Sequence, residues 1–335
     1  MKQDKFLEGF QDLGATIAKL KQEEKKSLFY NAALASPWYT PENIERALKG
    51  ISLFLKNDIL SSWLKKYPRP EHPKKVGLIM AGNIPLVGFH DLLCTLGAGH
   101  KAIIKLSRQD EVLPKYIINL LIEYDPEFGD NIEIVERLSG IDAVIATGSD
   151  NSSRYFRKYF KDYPHIIRKN RTSVTVLTGN ETKEELASLA DDIFSYFGMG
   201  CRNVSKLYIP SDFKMEKLIP HFQPHEALQK HNKYFNNYEY NKAIYLVNMV
   251  DHLDNGFAHF VESPELVSPL SVIYFERYET LDEVQIKLDE IGNKLQCVVG
   301  NIALNRTVIP FGKAQSPEID DYADDVDTME FLSSL

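Results

Sequence analysis

A cysteine beside two glycines is the residue of this chain best placed for covalent chemistry. Cys201 lies in the sequence FGMGCRN at 197–203. Because glycine has no side chain, the backbone at Gly198 and Gly200 can approach a ligand closely. Cys201 is therefore a candidate nucleophile if its thiolate form is favoured. The alternative is a buried, unreactive cysteine beside a turn.

The elements on either side of Cys201 hold it at a junction. Residues 184–197 carry apolar side chains at helical spacing, with Leu186, Leu189 and Ile193 on one face. Residues 204–210 alternate like a strand and end at a proline. The sequence thus predicts that Cys201 lies between a helix and a strand.

The chain before residue 178 has two parts. The first shows helical patterns only, and the second shows short apolar runs that alternate with helical stretches. Helical patterns occupy residues 1–66, and three prolines within 67–73 mark a rigid connector. Buried strands that alternate with helices predict a parallel α/β sheet, which binds ligands at the carboxyl ends of its strands. Strands are predicted at 76–80, 102–106, 132–135, 143–147 and 173–177.

A second α/β unit is predicted from about residue 178. Its expected elements are strands at 243–247, 270–275 and 297–300 and a helix at 281–291. We therefore expect N-terminal helices and a cofactor domain over 1–177, a catalytic domain over 178–312, and a tail over 313–335. The acidic tail is either solvated or packed on the cofactor domain or on a partner subunit.

The composition excludes several classes of protein. A net charge of −8 over 335 residues argues against nucleic-acid binding and against electrostatic docking on anionic membranes. Cys94, Cys201 and Cys297 form neither a disulfide framework nor a zinc pattern. No apolar run is long enough for a transmembrane helix, and residues 1–14 are charged and amphipathic rather than a signal peptide. We expect a cytoplasmic protein that needs no metal.

The order of the motifs resembles the aldehyde dehydrogenase superfamily and, within it, the LuxC-type fatty-acyl-CoA reductases. The resemblance spans residues 76–311 and rests on five motifs in order. It implies an aldehyde dehydrogenase-like α/β fold with a Rossmann-like cofactor domain, a catalytic domain and a helical N-terminus. The motifs are AGNIP at 81–85, IIKLSR at 103–108, ATGSD at 146–150, Cys201, and ELVSPL at 265–270.

The resemblance implies roles for two catalytic residues. Cys201 matches the nucleophile of the superfamily. Asn83 matches the asparagine whose side-chain amide contributes to an oxyanion hole, and such a donor is worth roughly 3–4 kcal/mol of barrier. Judged by its own sequence context alone, Asn83 is a simple turn residue.

The same resemblance implies that Lys105, Ser107 and Arg108 bind the adenosine ribose of a nicotinamide cofactor. Members that prefer NAD often carry a glutamate where Arg108 stands. A guanidinium suits a 2′-phosphate instead, because arginine offers bidentate donors to phosphate oxygens. We therefore expect NADPH, and the alternative is a solvated basic loop.

The remaining cofactor residues are also implied by resemblance. Thr147, Gly148 and Ser149 match a turn whose backbone N–H groups and serine hydroxyl meet the pyrophosphate at a helix start. Glu265 matches the glutamate that holds the nicotinamide ribose. The alternative is that Glu265 is a surface glutamate before a strand.

One departure from the superfamily is informative. Hydrolytic aldehyde dehydrogenases carry a glutamate before the strand that is predicted here at 173–177, whereas this chain has IRKNR at 167–171. The lack of a carboxylate there disfavours hydrolysis of a thioester to a free acid. The chain is also shorter than typical members, so the oligomerisation hairpin is expected to be reduced or absent.

These inferences favour an NADPH-dependent acyl-CoA reductase. Cys201 would attack an acyl-CoA or acyl-carrier thioester, release the thiol and form a thioacyl enzyme, which hydride from NADPH reduces to an aldehyde. A homodimer and an acyl-transferring protein partner stay open. So do two alternatives, an acyl-phosphate reductase of the same superfamily and a non-catalytic protein that kept the fold.

Overall fold

The structure is a computed structural model that describes residues 1–335 and divides them into two compact units. The first unit comprises Met1–Asn170 and Glu318–Leu335, and the second comprises Arg171–Pro317. None of the helices is long and apolar enough to cross a membrane.

Four helices open the first unit and bury their apolar faces in its core. Phe6 and Phe10, one helical turn apart, are both fully buried, which follows from their shared face. Thr40 accepts a hydrogen bond from the Asn43 N–H and Pro41 occupies the next position, so the third helix begins there. The helices are α1 (Gln3–Ala18), α2 (Gln22–Ala35), α3 (Pro41–Phe54) and α4 (Asn57–Leu64).

A five-stranded parallel sheet forms the rest of the first unit. Its elements are β1 (Lys75–Ile79), α5 (Phe89–Gly97), β2 (Lys101–Lys105), α6 (Val112–Tyr124), α7 (Glu127–Asn131), β3 (Ile132–Ile134), β4 (Ala143–Thr147), α8 (Asp150–Tyr159) and β5 (His165–Arg168). The strand order is β3-β2-β1-β4-β5. Because β1 pairs with both β2 and β4 in parallel, the carboxyl ends of these three strands lie side by side.

The second unit is built on a seven-stranded sheet with the order β12-β11-β6-β7-β10-β9-β8. All neighbours are parallel except the pair β8 and β9. Its elements are β6 (Thr172–Val176), α9 (Lys183–Phe194), β7 (Val204–Pro210), α10 (Met215–Leu218), α11 (Asn232–Val247), β8 (Leu253–Asp254), β9 (His259–Glu262), β10 (Val272–Tyr278), α12 (Leu281–Ile291), β11 (Leu295–Gly300) and β12 (Val308–Ile309).

The C-terminal tail belongs to the first unit. Ile319, Tyr322 and Leu332 are buried in its hydrophobic core, and the last helix is α13 (Thr328–Ser333). The Tyr322 hydroxyl accepts a hydrogen bond of 2.8 Å from the Trp63 indole nitrogen. These contacts attach the end of the chain to helix α4 within the same unit.

The α/β fold class predicted from the sequence is confirmed, but three details differ. Strand β6, predicted as the fifth strand of the cofactor sheet, lies in the second sheet, and β5 takes the fifth place instead. The units therefore divide at residue 170 rather than 177. The predicted strand at 243–247 is wrong, since these residues form the last turns of α11. Short apolar runs cannot separate strand from buried helix by periodicity alone.

Candidate active site

The structure brings the predicted site residues of the first unit to one edge of its sheet. Asn83 follows β1, Lys105 ends β2, and Thr147 ends β4. Because these strands are parallel neighbours, their loops meet at the edge where parallel α/β sheets bind ligands. Three sequence motifs thus come together at a single edge.

The backbone of the loop that contains Asn83 is held by the side chain of Tyr39. The Tyr39 hydroxyl lies 3.1 Å from the carbonyl oxygens of both Gly82 and Ile84, on either side of Asn83. A Cβ atom at Gly82 would clash with the Ser107 side chain, so this glycine allows the loops after β1 and β2 to touch. Asn83 itself is exposed. Its backbone is therefore held while its side chain faces outward.

Asp110 anchors the other end of this loop. Its carboxylate accepts a hydrogen bond of 2.7 Å from the Leu86 N–H, and Leu86 has a left-handed φ of 58°. The second carboxylate oxygen is buried and makes no hydrogen bond. Burial raises the pKa of Asp110 to about 7, although the Leu86 N–H opposes the shift. Sequence reasoning missed Tyr39 and Asp110.

We expect the pH dependence of unfolding to reveal Asp110. Because its folded-state pKa of about 7 exceeds its usual 3.8, the folded chain holds a proton that the unfolded chain releases. The favourable contribution of Asp110 is complete below about pH 4 and declines by about 4 kcal/mol as the pH rises to about 7. Asp110→Asn keeps an acceptor for Leu86 but lacks this decline.

Urea unfolding at several pH values measures the effect, followed by tryptophan fluorescence because Trp38 and Trp63 both lie in the first unit. The free energy of unfolding of Asp110→Asn should increase relative to that of the wild type between about pH 4 and 7. Above about pH 7 the difference between the two proteins should stay constant. A difference that does not change with pH would refute the assignment.

The end of β2 carries the predicted adenosine-binding residues. Lys105 and Arg108 are exposed, and the Ser107 hydroxyl accepts a hydrogen bond of 3.3 Å from the Gln109 N–H at the start of a 3-10 helix, Arg108–Asp110. Ser107 therefore caps this short helix.

The turn after β4 leads directly into α8. The Ser149 hydroxyl accepts a hydrogen bond of 3.3 Å from the Ser152 N–H and caps the helix. A Cβ atom at Gly148 would lie 2.9 Å from both the Phe156 ring and the Ser152 side chain, so glycine permits this close approach. The Gly148 N–H donates to the Arg168 carbonyl oxygen at 3.3 Å. That N–H is occupied in the sheet, so other N–H groups at the helix start would have to meet a pyrophosphate.

A cavity of about 690 Å³ opens between α8, residues 136–138 and the ends of β1 and β2. Its lining combines apolar and aromatic surface with three cations and one carboxylate, Glu136, so the cations outnumber the anion and the cavity suits an adenine ring beside phosphate groups. Sequence reasoning missed all of the lining except Lys105, although the three aromatic residues of α8 at 155, 156 and 159 were a signal. The lining residues are Ile79, Lys105, Glu136, Arg137, Leu138, Tyr155, Phe156, Lys158, Tyr159 and Phe160.

In the second unit, Cys201 lies in a strained turn between α9 and β7. Tyr196, Phe197 and Gly198 have consecutive positive φ angles of 52°, 59° and 77°. Such angles are costly for residues other than glycine and persist only where the surroundings enforce them. Cys201 is exposed, so it is not the buried cysteine of the alternative interpretation.

Asn203 enforces this turn. Its side-chain nitrogen donates to three carbonyl oxygens at the end of α9, those of Asp192, Ile193 and Ser195, at 2.9 to 3.2 Å. Its side-chain oxygen accepts a hydrogen bond of 2.8 Å from the Gly200 N–H. One buried amide therefore fixes both sides of the segment that carries Cys201. Its role was not visible from the sequence.

A second hydroxyl fixes the backbone of Cys201. The Ser173 hydroxyl on β6 donates to the Cys201 carbonyl oxygen at 2.9 Å and lies 2.9 Å from the Cys297 sulfur. Cys297 is half-buried on β11, whereas Cys94 is buried in the first unit, where burial raises the pKa of its thiol. Of the three thiols, the Cys201 thiol is thus the most accessible.

Glu265 is exposed in the segment that follows β9. This segment contacts β7, the strand that Cys201 precedes, because the Ser205 hydroxyl donates to the Leu266 carbonyl oxygen at 3.1 Å. Within the second unit, the segment that contains Glu265 therefore lies beside β7, the strand that follows Cys201 in the chain.

Arg168 lies at the end of β5, in the segment 167–171 that the resemblance to aldehyde dehydrogenases singled out. Its guanidinium donates to both Asp91 carboxylate oxygens at 2.7 Å and to the Thr328 hydroxyl at 2.9 Å. All three residues are buried. This position therefore holds an ion pair inside the first unit.

The sequence matches a family model over residues 10–220, which is more than half of the chain, and that family is described as acyl-CoA reductase (LuxC). The chain belongs to this family. The LuxC resemblance inferred from the five motifs is therefore confirmed.

A curated relative supports the same family. The chain is 27% identical over 150 residues to a long-chain acyl-protein thioester reductase from Vibrio harveyi. The match covers 40% of this chain and 31% of that protein, so it spans about a third of the relative's length.

Solved structures show that this LuxC-family chain has the fold of aldehyde dehydrogenases. An aldehyde dehydrogenase from Bacillus cereus superimposes with a TM-score of 0.62 at 14% identity, covering 91% of this chain and 72% of that one. Aldehyde dehydrogenase C from Pseudomonas syringae, solved with NAD+ and octanal, gives a TM-score of 0.64 at 11% identity, covering 89% and 71%.

Proposed function

We propose that this protein reduces a long-chain acyl thioester to the fatty aldehyde, with NADPH as the reductant and Cys201 as the acyl acceptor. The observation that carries the proposal is the exposed thiol of Cys201 on an enforced, strained turn in a LuxC-family chain. Backbone strain of this kind clusters at active sites.

The chemistry assigned to this chain begins with Cys201. Its thiolate attacks the thioester carbonyl carbon, a tetrahedral oxyanion forms, and the carrier thiol leaves as the acyl group moves to Cys201. The Cys201 N–H and the Asn83 amide are assigned by resemblance to stabilise the oxyanion. The fixed backbones next to Asn83 and Cys201 support these roles, because a loop that is already held in place needs less reorganisation when charge develops.

The residues at the sheet edge of the first unit fit a dinucleotide. We assign the adenosine end to the cavity beside Lys105 and the pyrophosphate to the turn of Thr147, Gly148 and Ser149. Ser107 and Arg108 flank the ribose by resemblance, and Glu265 holds the nicotinamide ribose. When bound, the cofactor supplies the hydride that reduces the acyl group.

The carrier of the acyl group is either coenzyme A or a protein. The family description names acyl-CoA, whereas the Vibrio harveyi relative is an acyl-protein thioester reductase. Both carriers present the same thioester to Cys201, so the proposed chemistry is unchanged.

The direct test supplies the purified chain with NADPH and a long-chain acyl-CoA. We expect loss of NADPH absorbance with formation of the fatty aldehyde in equal amount. The same reaction with an acyl-carrier protein thioester distinguishes the two carriers. If NADPH is consumed neither with the acyl-CoA nor with the acyl-carrier protein thioester, the result would contradict the proposal and favour a binding protein that kept the fold.

Cofactor preference provides a sharper prediction. Arg108→Glu should lower NADPH affinity by about one to two decades, because a charge-assisted hydrogen bond contributes roughly 1.5–3 kcal/mol, and shift the preference toward NADH. Rising salt should weaken NADPH binding more than NADH binding, since an exposed contact is screened. Binding titrations with both cofactors measure these effects.

Arg137→Glu is the comparison variant, because Arg137 lines the cavity assigned to the adenosine end whereas Arg108 does not. If only Arg137→Glu shifts the preference from NADPH to NADH, the 2′-phosphate contact is made at the cavity wall and not by Arg108. An unchanged preference in both variants would contradict phosphate recognition at this edge.

A further inference from the structure

A β-bulge lies in strand β7 shortly after Cys201. Ser173 of β6 pairs with Val204, but the next residue, Val174, pairs with Lys206, so Ser205 is the extra residue. In a regular strand, successive side chains point to opposite faces. A bulge re-aims one of them, and bulges are frequent beside active sites.

The two residues at this bulge hold one segment in common. The Ser205 hydroxyl donates to the Leu266 carbonyl oxygen at 3.1 Å, and the Lys206 ammonium donates to the Pro264 carbonyl oxygen at 2.8 Å. These carbonyls belong to the residues immediately before and after Glu265. The segment is therefore tied to β7 on both sides of a carboxylate that itself stays exposed.

Burial of the Lys206 side chain in β7 is energetically costly. The residue is only 1% exposed, and its ammonium pairs with Glu276, which also pairs with Lys287 of α12. Replacing a buried ion pair by apolar residues is often neutral or stabilising, so packing alone does not call for a lysine here. The bond to Pro264 is one that an apolar side chain could not make.

We propose that Lys206 is a positioning residue that, with Ser205, fixes residues 264–266 so that the Glu265 carboxylate is oriented for the ribose of a nicotinamide dinucleotide. This role rests on the proposed function of Glu265. A segment that is already ordered loses less conformational freedom when the dinucleotide binds, so the fixed loop increases affinity.

The test compares Lys206→Met with Lys287→Met. Each variant removes one of the two lysines that share Glu276, but only Lys206 reaches Pro264. We expect Lys206→Met to weaken NADPH binding about tenfold and to speed amide hydrogen exchange over 263–268. Lys287→Met should change neither quantity, and Lys206→Arg, which keeps a donor, should recover most of the affinity.

Ser205→Ala provides a second route if Lys206→Met does not fold. It removes the bond to Leu266 and the 2.7 Å hydrogen bond between the Ser205 and Thr172 hydroxyls, and it leaves the bond from Lys206 to Pro264 in place. It should also speed exchange over 263–268 and weaken NADPH binding. Equal NADPH affinity in wild type, Lys206→Met and Ser205→Ala would overturn the role of Lys206 and leave the proposed function intact. A wild type that binds no dinucleotide would overturn both.

Discussion

Replacing Cys201 by alanine should abolish aldehyde formation, with turnover falling by on the order of 10⁴-fold or more, as happens when an enzyme loses its nucleophile. In the proposed reaction the thiolate forms the bond that takes the acyl group from its carrier before hydride transfer, and a methyl group cannot form that bond. Steady-state rates of NADPH oxidation and aldehyde formation measure the loss. NADPH affinity should change little.

Cys297→Ala and Cys94→Ala are the matched controls. Cys297 is half-buried and contacts Ser173, whereas Cys94 is fully buried in the other unit. Both variants should retain most of the activity. A Cys201→Ala variant with more than about a tenth of wild-type turnover would mean that another group accepts the acyl chain.

Replacing Arg168 by alanine should lower the free energy of unfolding of the first unit by about 3–5 kcal/mol, because it leaves the buried Asp91 carboxylate without its partner. The same change removes the bond to Thr328, which ties α13 to β5. Urea unfolding followed by tryptophan fluorescence measures the loss in this unit, which contains both tryptophans.

The double variant Arg168→Met with Asp91→Leu separates charge from packing. It removes both buried charges, so it should recover most of the stability that Arg168→Ala loses. If the double variant is as unstable as Arg168→Ala, packing around the guanidinium and the Thr328 bond dominate. A loss below about 1 kcal/mol in Arg168→Ala would contradict the buried ion pair, since only exposed pairs are worth so little.

Much of the fold could be predicted because its signals are local. The runs at 102–106 and 143–147 are short, apolar and bounded by helices, and both form strands of the first sheet. Which sheet a strand joins depends on distant partners, so the sequence could not place β6 beside β7 and β11. The run at 243–247 shows the limit of composition, because apolar β-branched residues also end helix α11.

The candidate site shows the same division. The sequence placed Asn83 just after one predicted strand and Lys105 and Thr147 near the ends of two others, and the sheet brings all three to one edge. The side chains that hold these loops lie far away in sequence and have no motif, as the bonds from Tyr39 to Gly82 and Ile84 illustrate. Such supporting contacts depend on tertiary packing, which residue spacing does not encode.

From the sequence alone, residues 167–171 could be described only by the glutamate that they lack. In the structure, Arg168 of this segment joins several elements of the first unit. Arg168 joins β5 to α5 and to the C-terminal helix α13 through Asp91 and Thr328. A single sequence shows that a carboxylate is missing, but it does not show which distant acid the arginine meets.

The most direct test of the central claim is acylation of the protein in the absence of NADPH. Intact mass spectrometry after incubation with a long-chain acyl-CoA should show one added acyl group, and peptide mapping should place it on Cys201 as a hydroxylamine-sensitive thioester. NADPH should then discharge it as the aldehyde. An acyl group that persists in Cys201→Ala, or that maps to Cys94 or Cys297, would contradict the assignment of Cys201 as the acyl acceptor.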